Sequence, residues 1–297
     1  MTDADNPGSL SGAEHRQIAQ ALGDALPYIQ RFRHLTMVVK LGGAALDSDE
    51  ALNFLARDLA VLHLVGMRPV VVHGGGKSVG ALSQRLGLEP RFRDGLRITD
   101  SETMEVVEMV LAGSLNKRIA GCINQFGGSA VGISGVDGSL LRARRLSEEL
   151  GQVGEVASVR TGLIEDLCRD GHIPVIAPVA RTDDGAACNI NADEVAASLA
   201  AALGAGKLFL VSNVDGVLDA EGALVSQLDA EGTRTLIEEG AIAGGMLPKV
   251  RCALKALDAG VEAVHILNGL HEHAVLLELL THRGIGTLIT RSGRGQP

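Results

Sequence analysis

The strongest constraint on the fold is an alternation. Short apolar runs rich in β-branched residues, TMVVKL (36–41), PVVVH (69–73), SAVGI (129–133), HIPVIAPV (172–179), KLFLVS (207–212) and EAVHIL (262–267), recur along the chain, separated by stretches with helical spacing. Runs that are apolar at successive positions read as strands buried on both faces. Alternation of such strands with helices calls for an α/β fold: an open, mainly parallel central sheet sandwiched by helices. Helices are expected over 49–65, from 76 to 87, near 233–240, over 248–259 and near 272–280, with a last strand in GTLIT (286–290). Thr99 with Glu102 has capping-box spacing and opens a helix through 111, followed by a further helix over 114–126. Asn191 with Glu194 caps a helix over 192–203. Charged, alternating segments over 138–161 suggest hairpins, and a change of character near 178–185 divides two lobes, 35–178 and 179–297.

One helix stands outside this alternation. Ser11 with Glu14 forms a capping box at the head of SGAEHRQIAQALGDALPYIQRFRH, which puts Ile18, Ala21, Leu22, Ala25 and Leu26 on one stripe and breaks near Pro27. The stripe either packs on its own domain or meets another subunit. Residues 1–34 thus read as a tail, disordered over 1–10, followed by an interaction helix.

Composition narrows the function. With 297 residues, 46% of them hydrophobic, the chain can bury a large core or two lobes; with aromatics at 2%, that core is built from Val, Leu, Ile and Ala. A formal charge of −9 argues against nucleic acid or an anionic membrane as the main partner. Cys122, Cys168, Cys188 and Cys252 form no C-x-x-C pair, so buried thiols are expected rather than a disulfide or a zinc site. The start of the chain resembles neither a secretory signal nor a transit peptide, and the apolar stretch near 195–211 is interrupted by Lys207 and glycines. A cytoplasmic protein with no membrane span is expected.

VVVHGGGKSVG (70–80) carries the first chemical signal. It is not a P-loop, because the first glycine of that motif would fall on Val71. It is not a dinucleotide fingerprint either, because the third glycine would fall on Val79. A strand, then backbone without side chains, then a helix still makes a nest of N–H groups aimed at an anion. Further glycine-rich turns follow strands or open helices at Lys40-Leu41-Gly42-Gly43, at Ser134-Gly135 with Asp137-Gly138, and at Gly244-Gly245-Met246-Leu247-Pro248-Lys249. Ligands of open α/β sheets sit at the carboxyl ends of strands. Nests, two lysines and a metal suffice for phosphoryl transfer, which needs charge neutralisation and in-line positioning rather than covalent help.

VVKLGGAAL, VVVHGGGKSV, GLRITD, ACNINADEVAASLA, VSNVDGVL and GGMLPKV, in this order, resemble the amino-acid-kinase superfamily over residues 36–290, and within it most closely the arginine-sensitive N-acetyl-L-glutamate kinases. The resemblance implies transfer of a phosphoryl group from ATP, with Mg2+, to the γ-carboxylate of N-acetyl-L-glutamate in arginine biosynthesis. It implies that Lys40 bridges phosphoryl oxygens, that Lys249 binds the outer phosphates and offsets charge on the leaving oxygen, and that Asp193 holds both lysines. Gly43, Gly74 and Gly75 would present N–H groups to the phosphoryl and the substrate, Arg97 would grip the α-carboxylate, and Asn189 and Asn191 would complete the substrate site. Ser212, Asn213, Asp215 and Gly216, with Gly244, Gly245 and Met246, would face the nucleotide. No metal cage is expected, since Mg2+ rides on the phosphates. An ionised carboxylate needs no general base, so His73 reads as a strand-end packing residue and Lys77 as a solvated lysine.

The same resemblance implies arginine as an inhibitor, bound near His265, Glu278 and Gly284, a homo-oligomer (a dimer, or a hexamer interlaced through the N-terminal helix), and a nitrogen-signalling protein as a candidate partner. The rival readings are a sister kinase for glutamate, aspartate, carbamate or UMP, and a nucleotide or arginine sensor without turnover. Lys40, Lys249 and Asp193 together argue against the sensor. Absence of an appended regulatory region after the last strand argues against aspartate kinases.

Overall fold

The fold was analysed in a computed structural model that describes residues 11–219 and 221–292. The expected disorder of residues 1–10 lies outside the described residues. The chain runs α1 (Gly12–Phe32), β1 (Thr36–Leu41), α2 (Ala44–Asp47), α3 (Asp49–Leu64), β2 (Arg68–His73), α4 (Gly76–Arg85), β3 (Phe92–Arg93), β4 (Leu96–Arg97), α5 (Ser101–Val107) and, after a π-helical stretch Glu108–Leu115, α6 (Asn116–Gln125). It continues through β5 (Ala130–Ser134), β6 (Leu141–Arg145), β7 (Val153–Val159), α7 (Gly162–Arg169), β8 (Ile173–Ala177), β9 (Val179–Arg181), β10 (Ala187–Ile190) and α8 (Ala192–Ala202). It closes with β11 (Lys207–Ser212), β12 (Gln227–Asp229), α9 (Ala230–Glu238), α10 (Met246–Asp258), β13 (Ala263–Asn268), α11 (Ala274–Leu280) and β14 (Thr287–Thr290).

The central sheet has the order β12-β14-β13-β11-β1-β2-β8-β5 and is parallel except between β13 and β14. β1 and its neighbours are buried on both faces, as their uninterrupted apolar runs require. One layer of core joins Val39, Leu55, Leu59, Val71 and Phe209 under α3 and α6; the other joins Val38, Val72, Val195, Leu199 and Leu210 under α8 and α10. The expected hairpin over 138–161 is the antiparallel pair β6–β7, which closes with β9 and β10 into a small barrel.

Several local expectations are corrected. Helix α1 has its Ser11–Glu14 capping box but continues through Pro27 to Phe32. The last turn is held by packing: Phe32 is buried, and Tyr28 packs on the core and bonds His282 Nδ1 at 2.8 Å. That anchorage outweighs the one intrahelical bond a proline removes. The cap of α5 is Asp100, whose carboxylate accepts from the Thr103 N–H at 2.9 Å; the Thr99 hydroxyl instead donates to the Arg97 carbonyl. The two helices expected on either side of 112 form one rod whose middle is the π-helical stretch. Asn191 caps α8 as expected, but the Glu194 side chain turns away to accept from the Val156 N–H at 2.8 Å.

Candidate functional site

Parallel pairing places the carboxyl ends of β1, β2 and β11 along one edge of the sheet, so their turns converge there. Lys40 is the fifth residue of the central strand β1 and shares a face with Val38, which packs beneath α8. Asp193 sits in the first turn of α8, where its charge also suits the helix dipole. The two meet as an ion pair of 2.7 Å (Lys40 Nζ to Asp193 Oδ1); both residues are 7% exposed. Lys249, in the first turn of α10, donates to Asp193 Oδ2 at 3.2 Å. Burial alone would raise the Asp193 carboxyl, but the two ammonium groups outweigh it and hold the acid below the usual carboxylate range. Burial pulls the Lys40 ammonium below its ordinary value, against the opposing pull of Asp193.

Two cavities are lined by chain neighbours of this triad, Asn191 and Ala192 in one and Met246 in the other. The first, about 190 Å3, is lined by Gly74, Gly75, Arg97, Asn189, Asn191 and Ala192, with Val107, Leu111 and Val153 as an apolar wall. Arg97 is oriented by donation to the Gly76 carbonyl at 2.8 Å and by the Phe92 ring 4.7 Å away. Its remaining Nη1 is buried with no hydrogen-bond partner among the described residues. A buried guanidinium nitrogen without a partner is an unsatisfied donor in the unliganded protein. Asn191 is committed to capping α8 through its side-chain oxygen. Asn189 Nδ2 reaches the Thr99 hydroxyl at 3.4 Å. The Gly74 N–H donates to the Leu41 carbonyl at 2.8 Å, so the N–H groups of this run without an acceptor among the described residues are those of Gly75 and Gly76.

The second cavity, about 470 Å3, is lined by Asn213, Asp215, Gly216, Asp219, Ile242 and Met246 among others. Asp215 is braced by Asn268 Nδ2 and His271 Nε2, each at 2.9 Å. Ser212 lies just behind, buried, with no partner for its hydroxyl among the described residues. Gly43 takes a left-handed conformation (φ 60°) with Asn213 Oδ1 3.6 Å from where a Cβ would stand. Gly244 and Gly245 form the turn that enters α10 beside Met246. Among the described residues no group of three or more His, Cys, Asp or Glu could hold a metal ion.

His265, Glu278 and Gly284 lie elsewhere, together. Glu278 Oε1 accepts from His265 Nδ1 at 2.7 Å, while Oε2 accepts from the Ile285 and Gly286 N–H groups at 2.7 and 2.9 Å. These bonds overcome the effect of burial and hold the Glu278 carboxyl below its ordinary value. Lys207 Nζ is 3.2 Å from His265 Nε2 and 4.8 Å from the centre of the Phe32 ring, which ties this cluster to α1. Lys77 is exposed and pairs with Asp47 at 2.8 Å.

Some residues at the site escape a reading of the sequence. A Cβ on Gly42 would overlap Lys40 Nζ, so this glycine makes room for the lysine. Asn116, fully buried on α6, bonds His73 behind the glycine turn. An asparagine on an otherwise apolar helix face was the available signal.

Comparison with known proteins agrees with this geometry. The amino acid kinase family model matches residues 36–268. The acetylglutamate kinase of Hydrogenovibrio crunogenus is 49% identical over 95% of this chain and 99% of its own, and that of Stutzerimonas stutzeri is 47% identical over 96% and 100%. Among solved structures, N-acetylglutamate synthase from Neisseria gonorrhoeae, complexed with coenzyme A and N-acetyl-glutamate, superposes with a TM-score of 0.83 at 29% identity, covering 92% of this chain and 63% of that one. The same synthase with coenzyme A and L-arginine gives 0.77 at 27% identity, covering 92% and 65%. Carbamate kinase from Giardia lamblia bound to AMP-PNP shares the fold (TM-score 0.62, 17% identity, covering 87% and 99%). The chain is an enzyme of the amino acid kinase family and, within it, belongs to the acetylglutamate kinases.

Proposed function

We propose that the protein transfers the γ-phosphoryl group of ATP to the γ-carboxylate of N-acetyl-L-glutamate, releasing ADP and the acyl phosphate, as a cytoplasmic step of arginine biosynthesis. The observation that carries this reading is the Lys40–Asp193–Lys249 triad, whose chain neighbours Asn191 and Ala192 line one cavity and Met246 a larger one. The acceptor occupies the smaller cavity, with its α-carboxylate on Arg97 and its acyl chain against Val107, Leu111 and Val153. The nucleotide occupies the larger one, with its phosphates toward the N-terminus of α10. Lys40 and Lys249 neutralise charge on the phosphoryl oxygens and the leaving oxygen, and Asp193 sets their spacing. Magnesium arriving with the phosphates would supply further neutralisation. The acceptor carboxylate is ionised at neutral pH and attacks directly. Hydroxylamine trapping of the acyl phosphate tests this: the wild type should yield hydroxamate from N-acetyl-L-glutamate and MgATP, and Lys40→Ala should not. Hydroxamate at the wild-type rate from Lys40→Ala would remove the triad from the chemistry.

Feedback inhibition by arginine is a second reading, favoured by the Lys207–His265–Glu278 cluster. Glu278 is a buried carboxylate on α11, held below its ordinary pKa and linked to α1 through Lys207 and Phe32, which suits a guanidinium or an ammonium. On α1, Ile18, Leu22 and Leu26 are exposed along one stripe, which suits contact with another subunit of a homo-oligomer. An arginine titration of activity, repeated after deletion of residues 1–33, tests both parts; undiminished activity in the intact protein removes the inhibitory site.

A further inference from the structure

His73 and Asn116 are fully buried polar residues that the reaction described above leaves unused. Buried polar groups persist when they are bonded, and these two are bonded to each other and to the glycine turn. Asn116 Nδ2 lies 2.9 Å from the Val175 carbonyl oxygen and 3.1 Å from both the Ile133 carbonyl oxygen and His73 Nε2. Two carbonyls at one nitrogen fix the orientation of the amide, and Asn116 Oδ1 accepts from Lys117 Nζ at 3.2 Å. The NH2 group has two hydrogens to share among these three acceptors and cannot itself accept, so its contact with His73 Nε2 is one in which Nε2 accepts. His73 Nδ1 lies 2.9 Å from the Gly74 carbonyl oxygen, which only accepts, so Nδ1 carries the proton. The ring is therefore neutral, and burial holds its pKa down at about 4.

The Gly74 carbonyl and the Gly75 N–H belong to one planar trans peptide and point in opposite directions. A carbonyl held toward the buried ring turns that N–H toward the cavity which Gly75 lines. Leu111 and Leu115, on the π-helical stretch, stand 2.6 and 2.5 Å from where a Cβ on Gly75 would be, so this backbone is pressed close to the helix that also delivers Asn116. The flanking groups are already committed: the Gly74 N–H to Leu41 and the Gly75 carbonyl to the Val79 N–H. A run of glycines has the freedom to rotate the intervening peptide, and the ring of His73 removes it.

We propose that His73 and Asn116 are positioning residues for phosphoryl transfer: Asn116 holds the ring, and the ring clamps the Gly74–Gly75 peptide so that the Gly75 N–H faces the acceptor cavity. This rests on the phosphotransferase reading above. A preorganised N–H donor stabilises the charge that develops on transferred oxygens, and loss of one such donor costs on the order of 10²-fold in rate.

The test compares wild type, His73→Phe and His73→Asn as full chains with N-acetyl-L-glutamate and MgATP, together with 15N NMR of the wild-type imidazoles. His73→Phe keeps the bulk and loses both nitrogens; His73→Asn restores an N–H donor near the Nδ1 position. The expected result is a fall in kcat of about tenfold or more in His73→Phe with the KM for MgATP unchanged, partial recovery in His73→Asn, and a neutral Nδ1–H ring. Wild-type kcat in His73→Phe, or equal losses in both variants with both KM values raised, would overturn the clamp in favour of plain packing. An Nε2–H ring would overturn it independently of any variant. If the wild type phosphorylates no acceptor, the phosphotransferase reading fails, and the NMR tautomer still decides whether His73 holds the peptide.

Discussion

Lys40 Nζ stands 2.7 Å from Asp193 Oδ1, and the other oxygen of the same carboxylate takes Lys249 at 3.2 Å. One acid thus spaces two ammonium groups from opposite parts of the chain, and the cluster keeps a net positive charge for an anionic ligand. Asp193→Asn preserves shape and removes the charge that holds the lysines. It should lower kcat on the order of 10²-fold or more and destabilise the fold by about 3 kcal/mol, because the buried Lys40 ammonium then loses its counter-charge and faces Lys249. Steady-state kinetics at saturating substrates and a denaturant titration check both numbers.

Gly42→Ala should act through Lys40. The added methyl would overlap Nζ and displace the ammonium, while the strand itself is untouched. Misplacement of a reacting group by about 1 Å costs on the order of 10²-fold. The expected outcome is a large loss of kcat with nucleotide affinity retained, measured by kinetics alongside calorimetric titration of ADP.

Ser212→Ala separates stability from binding. The Ser212 hydroxyl is buried with no partner among the described residues, which costs free energy in the unliganded protein. The alanine variant should unfold at the same temperature or slightly higher, and its KM for MgATP should rise about tenfold if nucleotide supplies the missing partner. Thermal melts with and without ADP read both effects.

The elements were legible because each obeys a local rule. TMVVKL and KLFLVS are buried strands wherever they are placed, and the lysine in the first is tolerable only with a partner, which the fold supplies as Asp193. Asn191 was legible as a cap because its side chain serves the next turn of the same helix. What escaped depends on tertiary position. Pro27 looks like a helix end, but packing of Phe32 and Tyr28 carries the helix past it. The Gly42 requirement appears only when the Lys40 side chain folds back over it. The role of His73 needs Asn116, which reaches it through a π-helical stretch that no periodicity announces.

His73 also predicts a pH dependence of stability. Its ring is held neutral in the folded protein, with a pKa lowered to about 4 from an ordinary 6.5. Between those values the unfolded chain binds the extra proton and the folded one does not, so the contribution is full above the ordinary value and is lost as pH falls toward 4. The slope is up to about 1.4 kcal/mol per pH unit. Denaturant titrations across that window should show a shallower acid loss in His73→Phe than in wild type.

Gly284→Ala should report on the second cluster. The added Cβ would overlap the Glu278 carboxylate, which is anchored by His265 and by two backbone N–H groups. Activity without arginine should stay near wild type, since the triad lies elsewhere. On the proposed arginine reading, the concentration for half-inhibition should rise about tenfold or more, as loss of a charge-assisted contact of roughly 1.5–3 kcal/mol requires.

Acceptor choice bears on the whole site at once. ADP release by the wild type with MgATP should be measured against N-acetyl-L-glutamate, L-glutamate, L-aspartate, carbamate and UMP in parallel. Turnover on N-acetyl-L-glutamate far above the others is the predicted result. Turnover on a different acceptor, or on none of them, would contradict the assignment of the Arg97 cavity to an acylated amino acid.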